Sequence, residues 1–443
     1  GAFSMRAGVR DRESEIDVET LILRTGTEDD ATLLLEGSMD DIFSRDLINF
    51  SLMFEAATRP WVEKLYGHKV PEDHRVKGRT SFTGSRRKYH FEGTAHSGKT
   101  HIVAEVDASR VNERWSIAAN ISAPKIYLDD LGFYPKVPEG VVPVQKDKKN
   151  RREKIFSDIP YPFPELKEVD LSFRLDTEEV IGRGFILNDF DIDVALKDGL
   201  MLLGPLRMTY ADGFVLLESS INVRGSIPEV KLSLKAEDID IGDVLAYVHS
   251  PMILGGHLNL SADFQSSGVS PHELASALKG ELGIAIEHGK IKQISDLLGA
   301  DAIDFITTAR KMGTYAELNC MALNIKFIEG IGNTQIIYVD TPSVRSTGKG
   351  TVNLREESID LVIQPKPKKG LLGGSSPVTI NGPLSSPSTR KLPFIEATRL
   401  YGEIFMPYAF LPARLIGYVW FLMGDDKDEA SPCLNPEFQE RKE

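Results

Sequence analysis

Apolar and polar residues alternate in strand after strand of this chain, and few helical stretches are available to cover the apolar side. Ile192, Val194 and Leu196 are interleaved with Asp191, Asp193 and Ala195. Leu232 and Leu234 are interleaved with Lys231, Ser233 and Lys235, and Leu258 and Leu260 with His257, Asn259 and Ser261. The same pattern holds at Ile117, Ala119 and Ile121, at Ile284 and Ile286, at Leu323, Ile325 and Phe327, and at Ile359, Leu361 and Ile363. A period of two sends every second side chain to one face of a sheet. The apolar members of these strands are therefore the expected floor of a long one-sided sheet. Such a face has to be covered by a second sheet, by an oligomeric partner or by lipid.

Charge and composition narrow the choice. The chain has 443 residues, enough for more than one domain, and 41% of them are hydrophobic, enough for a large buried surface. Its 52 Lys+Arg against 65 Asp+Glu leave a net charge of −13, which excludes nucleic acid as a general partner and gives no bulk attraction to anionic membranes. Two cysteines, Cys320 and Cys433, are too few for a disulfide framework and leave the redox compartment open. Gly1–Met5 has no basic segment followed by an apolar one, so it does not read as a signal peptide. The longest apolar run, Ile404 to Met423, is interrupted by Pro407, Pro412 and Arg414.

Internal repetition points to stacked β units. Ser51–Leu65, Ser116–Leu131 and Lys231–Leu245 each run as an amphipathic strand, a short polar step, a second alternation and a closing leucine. Residues 135–164 form a proline-rich linker with a basic run from Lys146 to Lys154, expected as a solvated insertion. The expected organisation is then 1–134 as N-terminal β repeats, 135–164 as linker, 165–393 as a second β region and 394–443 as an amphipathic segment with a polar tail. Helices are few. Ser270-Pro271-His272-Glu273 is a capping box opening a helix through Leu278, and Ser295–Lys311 has a helical apolar stripe. From Phe394, apolar residues at Tyr401, Ile404, Tyr408, Leu411 and Leu415 also follow helical spacing. That last segment is expected to cap the β region or lie in a membrane interface, with Arg414 reaching toward head groups.

No motif carries catalysis. Gly93–Thr100 matches a phosphate-binding loop letter for letter, but Ile102–Ala108 then alternates as a strand, where that chemistry needs a helix N-terminus. A hairpin turn accounts for the string, so no nucleotide is expected. His90, His96 and His101 invite a metal reading. His90 and His96 share a strand face only if no turn intervenes, and His101 has the opposite parity. No metal, cofactor or catalytic residue is assigned. Patterning alone leaves three architectures: a sandwich core, an open trough floored by acyl chains, and an outer-membrane barrel, the last disfavoured by short strands and missing aromatic girdles.

Several segments between Val169 and Pro393 resemble the AsmA-like family of Gram-negative envelope proteins. They are Leu196–Leu206, Val230–Leu245 with its Asp238–Ile241 step, Gly268–Ser270 with Leu274 and Leu278–Gly280, Thr347–Leu354, and Val378–Leu384 with Pro387. One departure is Tyr210–Gly213, where the family usually carries paired glycines. The resemblance implies a mostly β fold, a long twisted antiparallel sheet curled into a taco-like hydrophobic groove. It also implies a periplasmic protein tethered by an N-terminal helix to the inner membrane and extending toward the outer membrane. On that basis the expected ligands are phospholipids, passed along the groove without enzymatic chemistry. The alternative is a structural or assembly factor for outer-membrane proteins. The tether helix is missing here, so the sequence is expected to be part of a longer protein.

Overall fold

The computed structural model describes residues 3–12, 15–27, 31–41, 47–57, 75–111, 114–131, 154–182, 185–210, 213–242, 254–292, 315–342, 344–367 and 377–391. The fold is mostly β, with twenty-one strands among the described residues. In chain order these are β1 (Phe3–Arg12), β2 (Glu15–Thr27), β3 (Ala31–Asp40), β4 (Leu47–Ala57), β5 (Arg75–Ser85), β6 (Lys88–Ser97), β7 (Thr100–Val111) and β8 (Arg114–Tyr127). There follow β9 (Val169–Gly182), β10 (Phe185–Lys197), β11 (Leu200–Tyr210), β12 (Gly213–Asn222), β13 (Glu229–Asp240), β14 (Leu254–Ser267) and β15 (Lys279–Lys292). The last are β16 (Tyr315–Ile328), β17 (Ile331–Asp340), β18 (Val344–Asn353), β19 (Ser358–Pro367), β20 (Val378–Pro383) and β21 (Ser388–Lys391). Two compact units divide them. The first comprises residues 1–137, 162–210 and 221–224, the second residues 138–161, 211–220 and 225–443.

In the first unit each strand from β1 to β8 pairs antiparallel with the next, as hairpins with short turns permit. The next step breaks the expected pattern. β8 pairs with β9 in parallel, Ile117 facing Leu171 and Ile121 facing Leu175. A parallel pair needs a crossover, and the long connection from Tyr127 to Val169 supplies it. The antiparallel ladder then resumes through β10 and β11. In the second unit β13 to β21 form an uninterrupted antiparallel ladder.

The polar step read after Lys231–Ala236 is a bulge inside β13, and β10 and β15 carry similar ones. Asp189 in β10, Asp238 in β13 and His288 in β15 have φ of 51°, 55° and 47°, left-handed values that L residues seldom adopt. Pairing slips beside each in one ladder, between Asn188 and Asp191, between Ala236 and Ile239 and, opposite His288, between Gly255 and His257. One extra residue flips the parity, so Leu232, Leu234 and Ala236 are followed by Ile239 on the same face. Asp238 is held by its neighbour, its backbone N–H donating to Asn259 Oδ1 at 3.1 Å and its carboxylate meeting His257 Nδ1 at 2.7 Å.

The capping box forms as expected. Helix α1 (Pro271–Ser276) starts at Ser270, whose Oγ accepts from the Glu273 N–H at 3.2 Å, while Glu273 Oε2 accepts from the Val269 N–H at 2.9 Å. The described end of the linker, Lys154–Tyr161, is tied to the second unit. Glu357 accepts the backbone N–H groups of Ile155 and Phe156, Ser157 O accepts from the His272 N–H, and the Tyr161 N–H donates to Val269 O. The expected helix at Ser295–Lys311 and the whole segment from Phe394 lie outside the described residues.

The phosphate-loop string is a β-turn. Gly98 and Lys99 turn the chain from β6 into β7, with Gly98 at φ +55°, and a strand follows where a phosphate loop needs a helix. Asp130, brought in by a short 3₁₀ turn after β8, closes this turn. Its Oδ2 accepts from Lys99 N, Thr100 N and Thr100 Oγ1 at 2.6, 2.9 and 3.1 Å. The Lys99 ammonium lies 5.6 Å from the Tyr127 ring centroid. Asp130→Ala strands a buried N–H and is expected to cost about 2 kcal/mol, whereas Lys99→Ala, losing an exposed cation–π contact, is expected to cost less than about 1 kcal/mol. Urea unfolding of the two variants checks the ranking.

Candidate functional site

Cross-strand register turns the sequence alternation into continuous apolar rows. In the second unit Leu258 faces Ile286 and Ile286 faces Met321, while Leu260 faces Ile284, Ile284 faces Leu323 and Leu323 faces Ile337. A third row runs Leu234, Ala262, Leu282, Ile325. A fourth starts at Leu232 and Phe264, crosses Gly280 to Phe327, and continues through Gly332 and Val352 to Ile359. Leu361 and Ile363 extend the same face beside Gly350 and Gly348. All the floor residues expected of this unit therefore share one face. In the first unit Ile192, Val194 and Leu196 likewise face Leu175, Phe173 and Leu171. Their row continues through Ala119, Val106 and Phe91 to Phe82 and Phe50.

These rows are enclosed only in part. Ile286, Ile325, Phe327 and Leu196 are buried, but Leu232, Leu234, Leu258, Leu260, Ile284, Leu323, Ile359, Leu361, Ile363, Ile192 and Val194 are half-buried. In a closed sandwich, inward-facing leucines interdigitate with a second sheet and lose nearly all their exposure. Here the middle of the apolar face keeps contact with solvent. Aromatic rings fill part of it where glycine opens the neighbouring strand. A Cβ on Gly332 would lie 2.5 Å from the Phe327 ring, and Phe264 meets Phe327 edge-on with centroids 6.0 Å apart.

The other face differs between the units. In the first it is solvated and charged, β7 alternating exposed His101, Val103, Glu105 and Asp107 with half-buried Ile102, Ala104 and Val106. In the second it carries small and polar residues that are themselves buried: Ala285, Cys320, Asn324 and Asp340 are at most 1% exposed. Asn319 Nδ2 donates to Asp340 Oδ2 at 2.8 Å, Arg345 Nε lies 3.3 Å from Asp340, and Asn324 Nδ2 donates to Glu281 at 2.8 Å, while Asn324 Oδ1 is buried without a hydrogen-bond partner. Burial, reinforced by the Asp340 charge, pushes the Tyr338 hydroxyl up to about 12. Burial also raises the Glu287 carboxyl, against the pull of His288 and His257. Alternation in the sequence identified the apolar face but not this second enclosed one, because small residues carry little hydropathy signal.

The histidines fall differently from the expectation. A two-residue hairpin between β6 and β7 sets His96 directly opposite His101, rings stacked 6.4 Å apart, and His90 opposite Asp107. Parity counted along the chain does not survive a two-residue turn, so all three histidines share the polar face. His90 Nδ1 lies 2.9 Å from Asp107 Oδ1, and that hydrogen bond raises its pKa above the ordinary imidazole value. With Glu105 they place three ligand-type atoms within 4.8 Å of one another on an open surface.

The second site expectation, Phe394, Tyr401, Ile404, Tyr408, Leu411, Arg414 and Leu415, lies outside the described residues. Among the described residues no helix is long and apolar enough to cross a membrane.

Residues 69–337 match the AsmA family. The chain is also similar to Protein AsmA of Escherichia coli (strain K12), with 20% identity over 353 residues, covering 75% of this chain and 55% of that protein. It thus spans about half the length of this relative. No solved structure matches it.

Enclosure ranks the apolar positions. Ile286→Ala, at 1% exposure, is expected to cost about 3 kcal/mol, and Leu260→Ala, half-exposed in the neighbouring row, about half as much. Equal losses in denaturant titrations would mean that the Leu260 row is closed by another layer.

Proposed function

The chain belongs to the AsmA family, and we propose that it acts as a non-enzymatic lipid conduit of the bacterial envelope, carrying phospholipid acyl chains on its one-sided apolar faces between the inner and outer membranes. The observation that carries this reading is the half-buried row through Leu260, Ile284 and Leu323, with half-buried Leu234 and Leu282 in the row beside it. Two acyl chains in water expose roughly 30 methylenes at about 0.8 kcal/mol each, which makes an unshielded transfer prohibitively slow. A continuous aliphatic row removes most of that cost with no specific contact. Binding is then weak at each position and distributed over many, as transport requires.

The rows also lack ionisable groups. Lys231, Lys235, Asp263, Glu281 and Lys326 occupy the alternate positions of the same strands and so the other face. A lipid on the apolar face meets no buried charge along its path, and its head group stays in solvent. No residue on the apolar face is assigned to acid–base or nucleophilic chemistry.

Native mass spectrometry of the protein purified from a bacterial host tests the proposal. Phospholipid is expected to copurify, and Leu323→Arg or Leu234→Arg is expected to lower its recovery several-fold while far-ultraviolet circular dichroism stays that of a β protein. These half-buried positions spare the core better than Ile325, which is 8% exposed. Bare protein from every preparation would overturn the conduit reading. Bound polypeptide in place of lipid would favour the assembly-factor alternative.

A further inference from the structure

Apolar side chains also reach the polar face of the first unit, and at one point two of them are adjacent. Leu33-Leu34-Leu35 in β3 and Leu52-Met53-Phe54 in β4 are unbroken apolar triplets, so their central residues point to the polar side. Register makes those two residues neighbours, Leu34 facing Met53. The same cross-strand row places Arg24 beyond Leu34 and Arg79 beyond Met53. An aliphatic spot is thereby framed by two guanidinium groups, carried on strands that stand roughly 14 Å apart at ordinary sheet spacing. The next row adds Glu55 facing Lys77 and Lys77 facing His96.

These side chains line a pocket of ≈ 690 Å³. Its electrostatics run against those of the chain, whose net charge is −13. Glu55 is already engaged by Arg75 at 2.7 Å and Lys77 at 3.1 Å, and these cations hold its carboxyl below the ordinary value. Among the described residues neither Arg24 nor Arg79 has a carboxylate partner. Arg79 instead folds over the floor, its Nη2 donating to Met53 Sδ at 3.2 Å. A thioether is a weak acceptor, so the contact leaves the guanidinium free to turn to a better one.

We propose that this pocket binds a phosphate-bearing amphiphile, the anionic group held between Arg24 and Arg79 and the apolar stem lying on Leu34 and Met53. Planar guanidinium forks suit phosphate oxygens, and an aliphatic floor of two side chains between them suits a stem of matching length. A free inorganic anion would leave that floor wet, and a neutral amphiphile would leave both arginines without an acceptor. The site lies on the face opposite the apolar rows and stands independently of the conduit reading.

Methyl-¹³C methionine spectra of the full chain test it, with Met53 reporting the pocket and Met39, on the apolar face, reporting folding and any binding there. Dodecyl phosphate below its micelle-forming concentration is expected to shift the Met53 signal saturably. Arg24→Gln and Arg79→Gln, both at exposed positions, are each expected to weaken that titration about tenfold while the Met39 signal holds its place. Inorganic phosphate is expected to bind more weakly, and dodecyl maltoside is expected to leave Met53 unshifted. An unresponsive Met53, an equal response to dodecyl maltoside, or a titration that survives the double substitution overturns the proposal. Inorganic phosphate binding as tightly as dodecyl phosphate overturns its amphiphile part and assigns the pocket to the free anion.

Discussion

A sheet satisfies its backbone sideways, and everything else in this protein depends on that. Each strand of the second unit's ladder spends its N–H and C=O groups on its neighbours, so the faces are what remain to be covered. On the face through Asn324 and Asp340 several side chains are fully enclosed, and Glu281, Asn319 and Arg345 partner polar atoms there. On the face through Leu260, Ile284 and Leu323 enclosure is partial. An aliphatic surface left half-wet across adjacent strands forgoes about 25 cal/mol for each Å² that a second layer would have covered. The fold has to supply that stability elsewhere, and its long antiparallel ladders and enclosed small-residue face do so.

The bulges reconcile two demands on such a sheet. Long strands must bend and twist, yet every apolar side chain must keep to one face. A single left-handed residue does both, since it kinks the strand and shifts the parity by one. Asp189, Asp238 and His288 occupy these positions, and polar side chains suit them because the unpaired backbone nearby needs a partner. Asp238 shows how that need is met, with Asn259 accepting its N–H and His257 beside its carboxylate. Opposite the bulge of β15, β14 carries a glycine, Gly256 at φ +124°, pressed against the backbone of Glu287 and Gly289, where a Cβ would lie 2.7 Å from each. No side chain fits there.

Local rules were legible in the sequence and long-range ones were not. The alternation at Ile284–Ile286 and Leu323–Phe327, the capping box at Ser270 and the strand after Lys99 each depend on a few consecutive residues, and each formed as read. The parallel pairing of β8 with β9 depends on residues more than fifty positions apart, and nothing in either strand distinguishes a parallel neighbour from an antiparallel one. The histidine cluster depends on where a hairpin turns, since a shift of one residue there reverses every assignment on the return strand. Leu34 and Met53 were hidden for a third reason. Within a triplet of apolar residues the eye assigns all three to the core, although geometry permits only the outer two to share a face.

The two faces of the first unit divide chemistry that one site could not hold together. An apolar row that carries acyl chains works best when its free energy is level from strand to strand, because a deep well anywhere along it would trap the cargo. A guanidinium on that row would be such a well, binding each passing head group by an interaction stronger than the methylene contacts on either side. Arg24, Lys77 and Arg79 stand on the opposite face, so on the proposed reading the row stays level while the arginines act on an anion. Period-two alternation enforces this separation at no added cost in sequence. A residue displaced by one position along the strand is displaced by the full thickness of the sheet, so the proposed selective binding and the proposed unselective passage can share the same few strands.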